Sequence, residues 1–177
     1  MANLSRGKRA VKDCLEQNSG PPIKSRRISP DSEAVYWCNA GLDKEGFEKK
    51  YINDVIGFGV FATVAFQKGA FLLEYVGDRI SPKEAEERDK KRKEMKHSYV
   101  FHFVWNGNHA IDATNVPERM CRYVNDAVFG NAVMKLKVFN NYPRLCLFAS
   151  REICAGEEIR YDYGDENVPW RQVNIFY

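Results

Sequence analysis

Short apolar runs separated by polar turns dominate the chain from about residue 50 onward. They predict strands at Lys50–Ile52, Gly59–Ala65, Phe71–Tyr75, Ser98–Val104, His109–Asp112, Arg144–Ala149 and Glu158–Tyr161. Glycine and asparagine turns lie between them, as at 106–108 and 140–141. Many short strands with few helices indicate a strand-dominated α+β fold.

Helical signals occur in three places. An amphipathic segment from about Glu33 to Lys50 predicts a helix that ends before the first strand. The sequence Ser81-Pro82-Lys83-Glu84 is a capping box with proline at the first helical position, so it predicts the start of a second helix. We expect a third, shorter helix at about 117–123.

The length of 177 residues and the net charge of +3 fit one domain with a tail. We divide the chain into a disordered basic tail (1–32), a helical flanking segment (33–56), the main domain (57–165) and a C-terminal flanking segment (166–177). The tail contains linker chemistry at Gly20-Pro21-Pro22 and Ser29-Pro30. Its lysines and arginines are typical of a nuclear-import signal, of weak contact with DNA phosphate, or of a merely solvated tail.

Membrane insertion and metal binding are not expected. No stretch approaches the roughly 20 apolar residues that cross a bilayer, and the N-terminus has no apolar run, so we expect a soluble intracellular protein. The five cysteines are scattered, without a Cys-x-x-Cys pair or a Cys/His cluster that would indicate zinc.

Four separated segments carry the candidate chemistry: Gly57-Phe58-Gly59, Glu74-Tyr75-x-Gly77-Asp78, Arg122-x-x-Asn125 and Tyr161-x-Tyr163-Gly164-Asp165. In order and spacing they resemble the SET-domain protein lysine methyltransferases. The resemblance runs from about Gly41 to Trp170 and is nearest to the PR-Set branch, which monomethylates a lysine on the nucleosomal histone-four tail. Each segment alone would be a weak signal, but the set of four is specific.

The resemblance implies a SET domain of several short sheets with a pseudoknot-like C-terminal crossover. It implies methylation, most simply monomethylation, of a histone-tail lysine with S-adenosylmethionine as the cofactor. The partner would be a histone tail or nucleosome, and the protein would be a nuclear, chromatin-associated monomer.

Site roles follow from the same resemblance. Tyr163 would be the central catalytic tyrosine, Tyr75 and Tyr161 would line the lysine channel, and Asp165 would support the closing turn. The Tyr161 hydroxyl would occupy the space that a second methyl group needs. The cofactor would lie against Ile56, Gly57, Phe58, Gly59, Tyr99, Asn125, Asp126 and Trp170. Trp170 is also interpretable as a simple anchor of the tail.

Two departures from the branch pattern lie on the cofactor side. Phe58 stands where the branch has arginine, with Ile56 in place of a lysine, so a cation for the cofactor carboxylate is missing. Asp126 stands where the branch has histidine, which puts a carboxylate beside a ligand site. An alternative function is therefore a SET-fold module with weakened turnover that binds a peptide or chromatin partner.

Overall fold

The computed structural model describes residues 28–92 and 99–164. Most of the predicted basic tail and the C-terminal flanking segment, with Asp165 and Trp170, lie outside the described residues. The helices are α1 (Pro30–Ala40), α2 (Pro82–Lys91) and a 3-10 turn at Cys121–Tyr123. The strands are β1 (Phe47–Asn53), β2 (Gly57–Ala62), β3 (Phe71–Tyr75), β4 (Asp78–Ile80), β5 (Val100–Val104), β6 (Asn108–Asp112), β7 (Asn125–Asp126), β8 (Ala132–Phe139), β9 (Tyr142–Ala149) and β10 (Arg160–Tyr161).

The first helix differs from its prediction at both ends. Ser29 is its N-cap, because the Ser29 hydroxyl accepts a hydrogen bond from the backbone N–H of Ser32. The Ser29-Pro30 pair is therefore a helix start rather than linker chemistry. The helix ends at Gly41, which adopts the left-handed conformation with a φ of 67°. The remainder of the predicted helix is wrong, since Phe47–Asn53 forms β1.

Three sheets make up the fold. β1 pairs with β2, and β4, β6 and β5 form a three-stranded sheet. The largest sheet has the order β3-β9-β8-β10-β7, in which β10 runs parallel to both β8 and β7. The C-terminal segment thus crosses back between strands that precede it in sequence. The strand-dominated α+β prediction and its C-terminal crossover are confirmed.

The core lies between the large sheet and the elements that cover it. All five residues of β3 are buried, and β9 is buried from Leu145 to Ala149. Burial of these apolar side chains stabilises the sheet by roughly 1.5–3 kcal/mol for each large residue. The sheet therefore fixes Tyr75, the last residue of β3. No helix among residues 28–92 and 99–164 is long and apolar enough to cross a membrane.

Helix α2 is fixed to the body by ion pairs. Arg88 and Arg92 each place Nη1 2.9 Å from Oδ2 of Asp112, whose side chain has no solvent exposure. Burial alone would raise the pKa of Asp112, but hydrogen bonds from Thr114 and the two arginines outweigh it and lower the pKa to about 2. The predicted helix is confirmed. Arg88 and Arg92 also attach it to the sheet through Asp112.

Candidate active site

The structure brings three of the predicted tyrosines together at the C-terminal crossover. The rings of Tyr161, the last residue of β10, and Tyr163 lie 4.8 Å apart between centroids, so a prediction from their spacing that the two tyrosines point to opposite faces is wrong. The ring of Phe101 in β5 contacts the rings of both Tyr75 and Tyr161, with centroid distances of 5.6 Å and 6.3 Å. Tyr75 and Tyr161 are buried, and Tyr163 keeps 36% of its surface exposed. The result is an aromatic wall with one member at the solvent side.

Two hydroxyl groups of this wall are held by backbone carbonyls. The Tyr75 hydroxyl donates to the Tyr99 carbonyl at 2.8 Å, and the Tyr163 hydroxyl donates to the Val124 carbonyl at 2.7 Å. Burial raises the pKa of Tyr75 and of Tyr161 well above the ordinary tyrosine value. Burial also raises the pKa of Tyr163, and the Asp126 carboxylate raises it further. The phenols are therefore neutral near pH 7, so the wall offers oriented hydroxyls without negative charge.

The predicted cofactor residues of β2 meet Asn125 beside this wall. Gly57 has a φ of 79°, which favours glycine. A Cβ on Gly59 would lie 2.7 Å from Glu158 Oε1 and 3.1 Å from Asn125 Nδ2, so no larger residue fits without a shift. The Asn125 amide donates to the Phe58 carbonyl at 3.1 Å and to Glu158 Oε1 at 2.7 Å. These bonds tie the start of β2 to the crossover.

The two side chains that depart from the branch pattern in and just before β2 are open to solvent. Ile56 is 38% exposed, and its N–H donates to Asn53 Oδ1 at 2.9 Å. Phe58 is 41% exposed and packs edge-on against Tyr51 and Tyr123. Phe58 therefore presents an aromatic face at the position where the resemblance expects a cation.

The carboxylate that Asp126 puts beside the predicted ligand site has a defined partner. Its Oδ1 accepts the backbone N–H of Tyr163 at 3.0 Å. Asp126 also stands opposite Tyr161 in the parallel pairing of β7 with β10. The register of these strands puts the Asp126 carboxylate within reach of Tyr163, two residues beyond the end of β10. The aspartate that replaces the branch's histidine at position 126 thus fixes the backbone of Tyr163.

Sequence reasoning did not single out Phe101, or Arg122 as a contact of Tyr99. The Arg122 guanidinium lies 3.7 Å from the centre of the Tyr99 ring, and its Nη1 donates to the carbonyls of Ala113 and Thr114. Tyr99, Phe101 and Phe103 occupy alternate positions in the predicted strand, so the period-2 pattern could have placed Phe101 on the face of Tyr99. Arg122 gave no comparable signal beyond its place in a motif.

Not every predicted position can be placed. Asp165 and Trp170 lie outside the described residues. Within the described part of the chain, no group of three or more His, Cys, Asp or Glu side chains is arranged to hold a metal ion.

Comparison with known proteins identifies relatives. The family described as SET domain matches residues 57–164. N-lysine methyltransferase KMT5A of Xenopus tropicalis is 41% identical over 123 residues, which are 64% of this chain and 37% of that protein. Histone-lysine N-methyltransferase Set8 of Drosophila melanogaster is 38% identical over 114 residues, which are 63% of this chain and 16% of that protein.

A solved structure is similar as well. The autoinhibited ctPRC2 of Chaetomium thermophilum, bound to S-adenosylmethionine, aligns with a TM-score of 0.62 and 29% identity over 81% of this chain and 19% of that chain. The chain spans well under half the length of each of these three proteins.

Proposed function

Because this chain belongs to the SET-domain family, we propose that it transfers a methyl group from S-adenosylmethionine to a lysine side chain of a histone tail. The family resemblance drawn from the four motifs is confirmed by the match over residues 57–164. The observation that carries the proposal is the aromatic wall in which Phe101 contacts Tyr75 and Tyr161, and Tyr161 contacts Tyr163. Asn125, which pairs with Arg160 beside Tyr161, connects this wall to the Phe58 carbonyl in the Gly57–Gly59 segment. This arrangement supplies a lysine channel and a cofactor surface side by side.

The residues present fit the cofactor. Apart from its chain neighbours, no atom of the described residues lies within 4 Å of where a Cβ on Gly57 would stand, so the backbone there is open to close approach, and the exposed Phe58 ring offers an apolar face. Asn125 lies at the same place, held by the Phe58 carbonyl. When bound, S-adenosylmethionine supplies a methyl carbon on sulfur: the N–C bond forms as the S–C bond breaks, and the sulfur keeps the electron pair.

The chain must orient a neutral lysine amine for this displacement. A lysine ammonium has an ordinary pKa of about 10.4, and burial in an aromatic channel disfavours the charged form. Tyr75 and Tyr161 provide such a wall, because both are buried and remain neutral phenols. The hydroxyl of Tyr163 is fixed by the Val124 carbonyl, so its oxygen can accept from, and thereby orient, the amine. Orientation of this kind contributes on the order of 7–11 kcal/mol to lowering a barrier.

The substrate class is a histone tail. Two of the relatives are named as lysine methyltransferases, one of them as a histone-lysine enzyme. Within this proposal the target is the histone-four tail on nucleosomes, the product is monomethyl-lysine, and Tyr161 restricts the channel. A nuclear, chromatin-associated location and weak DNA contact by the N-terminal tail belong to the same proposal.

The alternative is a SET-fold module that binds a peptide or chromatin partner with little turnover. The missing cation at Phe58 favours it, because cofactor affinity would fall. The two functions make different demands. An enzyme must bind S-adenosylmethionine and release methylated product, whereas a binding module needs only the peptide.

The test is methyl transfer from labelled S-adenosylmethionine to recombinant nucleosomes and, separately, to a histone-four tail peptide. Calorimetry with the cofactor alone and with the peptide alone accompanies it. Label on a histone lysine supports the proposed function. Peptide binding without measurable cofactor binding or transfer contradicts it and establishes the alternative.

A further inference from the structure

The missing cation at Phe58 has a neighbour on the adjacent strand. Lys49 of β1 stands opposite Val60 of β2, so Lys49, Tyr51 and Phe58 share one face of this hairpin. The Lys49 ammonium lies 4.9 Å from the centre of the Phe58 ring and 4.4 Å from that of Tyr123. Its charge therefore lies over the aromatic side chain that replaces the expected arginine.

The same rings connect Lys49 to the predicted cofactor surface. Tyr123 packs edge-on against Phe58 at 6.0 Å and against Tyr99 at 6.2 Å between ring centroids. Phe58 and Tyr99 are both predicted cofactor residues, and the Phe58 carbonyl accepts from the Asn125 amide. Lys49 is thus a cation at the edge of this surface, contributed by a different strand.

The ammonium of Lys49 is available to an anion. Within residues 28–92 and 99–164 no carboxylate forms an ion pair with it, whereas the adjacent Lys50 pairs with Glu48 at 2.6 Å. Cation–π contact leaves an ammonium positioned over the rings but not neutralised. Arg122 also lies beside these rings, but its Nη1 is engaged by the carbonyls of Ala113 and Thr114, and its Nε, which has no hydrogen-bond partner among the described residues, is buried away from solvent. Lys49 is therefore the better candidate.

We propose that Lys49 binds the carboxylate of the methionine part of S-adenosylmethionine and so replaces the cation missing at Phe58. This inference rests on the proposed function, because it requires the cofactor at the Gly57–Gly59 surface. Phe58 and Tyr123 then have a positioning role, since their rings hold the lysine ammonium in place. From one charge-assisted hydrogen bond to a solvent-exposed lysine we expect about a tenfold change in affinity.

The experiment compares two ligands and two variants by calorimetry on the full chain. The ligands are S-adenosylmethionine and its decarboxylated form, which keeps the sulfonium and the amine but lacks the carboxylate. The variants are Lys49→Gln and the matched control Lys50→Gln. We expect Lys49→Gln to weaken S-adenosylmethionine binding about tenfold and to leave the decarboxylated ligand unchanged. Lys50→Gln should leave both affinities unchanged.

Steady-state kinetics and a second variant, in which the positive charge is moved to position 58, test the inference independently. Lys49→Gln should raise KM for S-adenosylmethionine with little change in kcat, because it removes binding shared by ground and transition states. In the Lys49→Gln background, Phe58→Arg should restore affinity by returning the cation to β2.

Three results would overturn the inference. Equal weakening of both ligands by Lys49→Gln would show that the carboxylate is not its partner. Unchanged affinity for both would exclude Lys49 from the site while leaving the proposed function intact. A wild-type chain that binds neither ligand would overturn the proposed function and this inference together.

Discussion

Replacement of Tyr163 by phenylalanine separates the catalytic contribution of one hydroxyl from its structural contribution. The Tyr163 hydroxyl donates to the Val124 carbonyl at 2.7 Å, and Val124 is buried. Loss of a donor to a buried acceptor costs about 1–3 kcal/mol of unfolding free energy. The ring contact with Tyr161 and the backbone bond to Asp126 do not involve the hydroxyl, so both should persist. We therefore expect a folded but less stable protein.

The expected loss of turnover is much larger than this stability loss implies. Removal of one oriented hydrogen-bonding group in an active site reduces kcat by about 10²–10³, and we expect a loss of this order when the Tyr163 oxygen can no longer accept from the amine. The assay is methyl transfer to nucleosomes at a temperature where urea titration shows the variant fully folded. Tyr142→Phe is the control, because it removes the same atom from an exposed residue of the β8–β9 hairpin. Wild-type turnover by a folded Tyr163→Phe protein would refute the catalytic role of this residue.

Three further predictions concern product, cofactor and acid stability. Tyr161→Phe should yield dimethyl-lysine on a histone-four tail peptide by mass spectrometry; dimethyl product from the wild type would exclude Tyr161 as the restriction. Gly59→Ala should weaken S-adenosylmethionine binding about tenfold in calorimetry, because its Cβ would lie 2.7 Å from Glu158 Oε1 and displace the acceptor that holds the Asn125 amide; equal affinity would show that the strand adjusts freely. The Asp112 pKa, lowered from 3.8 to about 2, gives stability that is present above about pH 4 and lost as pH falls toward 2. Asp112→Asn should therefore lower unfolding free energy at pH 7 by about 2 kcal/mol and flatten its dependence between pH 4 and 2; an unchanged acid limb in denaturant titrations would contradict the ion-pair assignment.

The elements that carry strong local signals were predictable from the sequence. The Ser81 capping box marks the start of α2, and the Ser81 hydroxyl accepts from the Glu84 N–H at 3.2 Å. The apolar run of β3 is a strand over its predicted range, Phe71–Tyr75. In both cases the residues within one turn or one strand determine the outcome.

Elements whose stability comes from partners were not predictable in the same way. Only the part Lys50–Ile52 of β1 is predicted as a strand, because charged residues in the sequence FEKKYIN interrupt the alternation that marks one. Its glutamate and lysines favour helix when considered locally, and pairing with β2 overrides that preference. The short strands β4 and β7 likewise depend on their neighbours.

The candidate site was likewise predictable only in part. Motif order was enough to nominate Tyr75, Tyr161 and Tyr163, and the structure brings their side chains to one place. The contacts that hold them could not be read from the sequence. The Val124 carbonyl and the Asp126 carboxylate reach Tyr163 only because β7 and β10 run parallel in one register. Register between distant strands is a tertiary property.

The two hydrogen bonds that fix Tyr163 bear on whether the domain is an enzyme or only a binding module. Its backbone N–H is fixed by Asp126 and its ring tip by Val124, so both ends of the residue are constrained. A channel that only grips a peptide needs aromatic surface, which Tyr75 and Tyr161 already provide. Displacement at a methyl carbon depends on alignment within a fraction of an ångström, and constraint at two points provides it. The substitution of aspartate for the expected histidine at position 126 therefore favours the catalytic function.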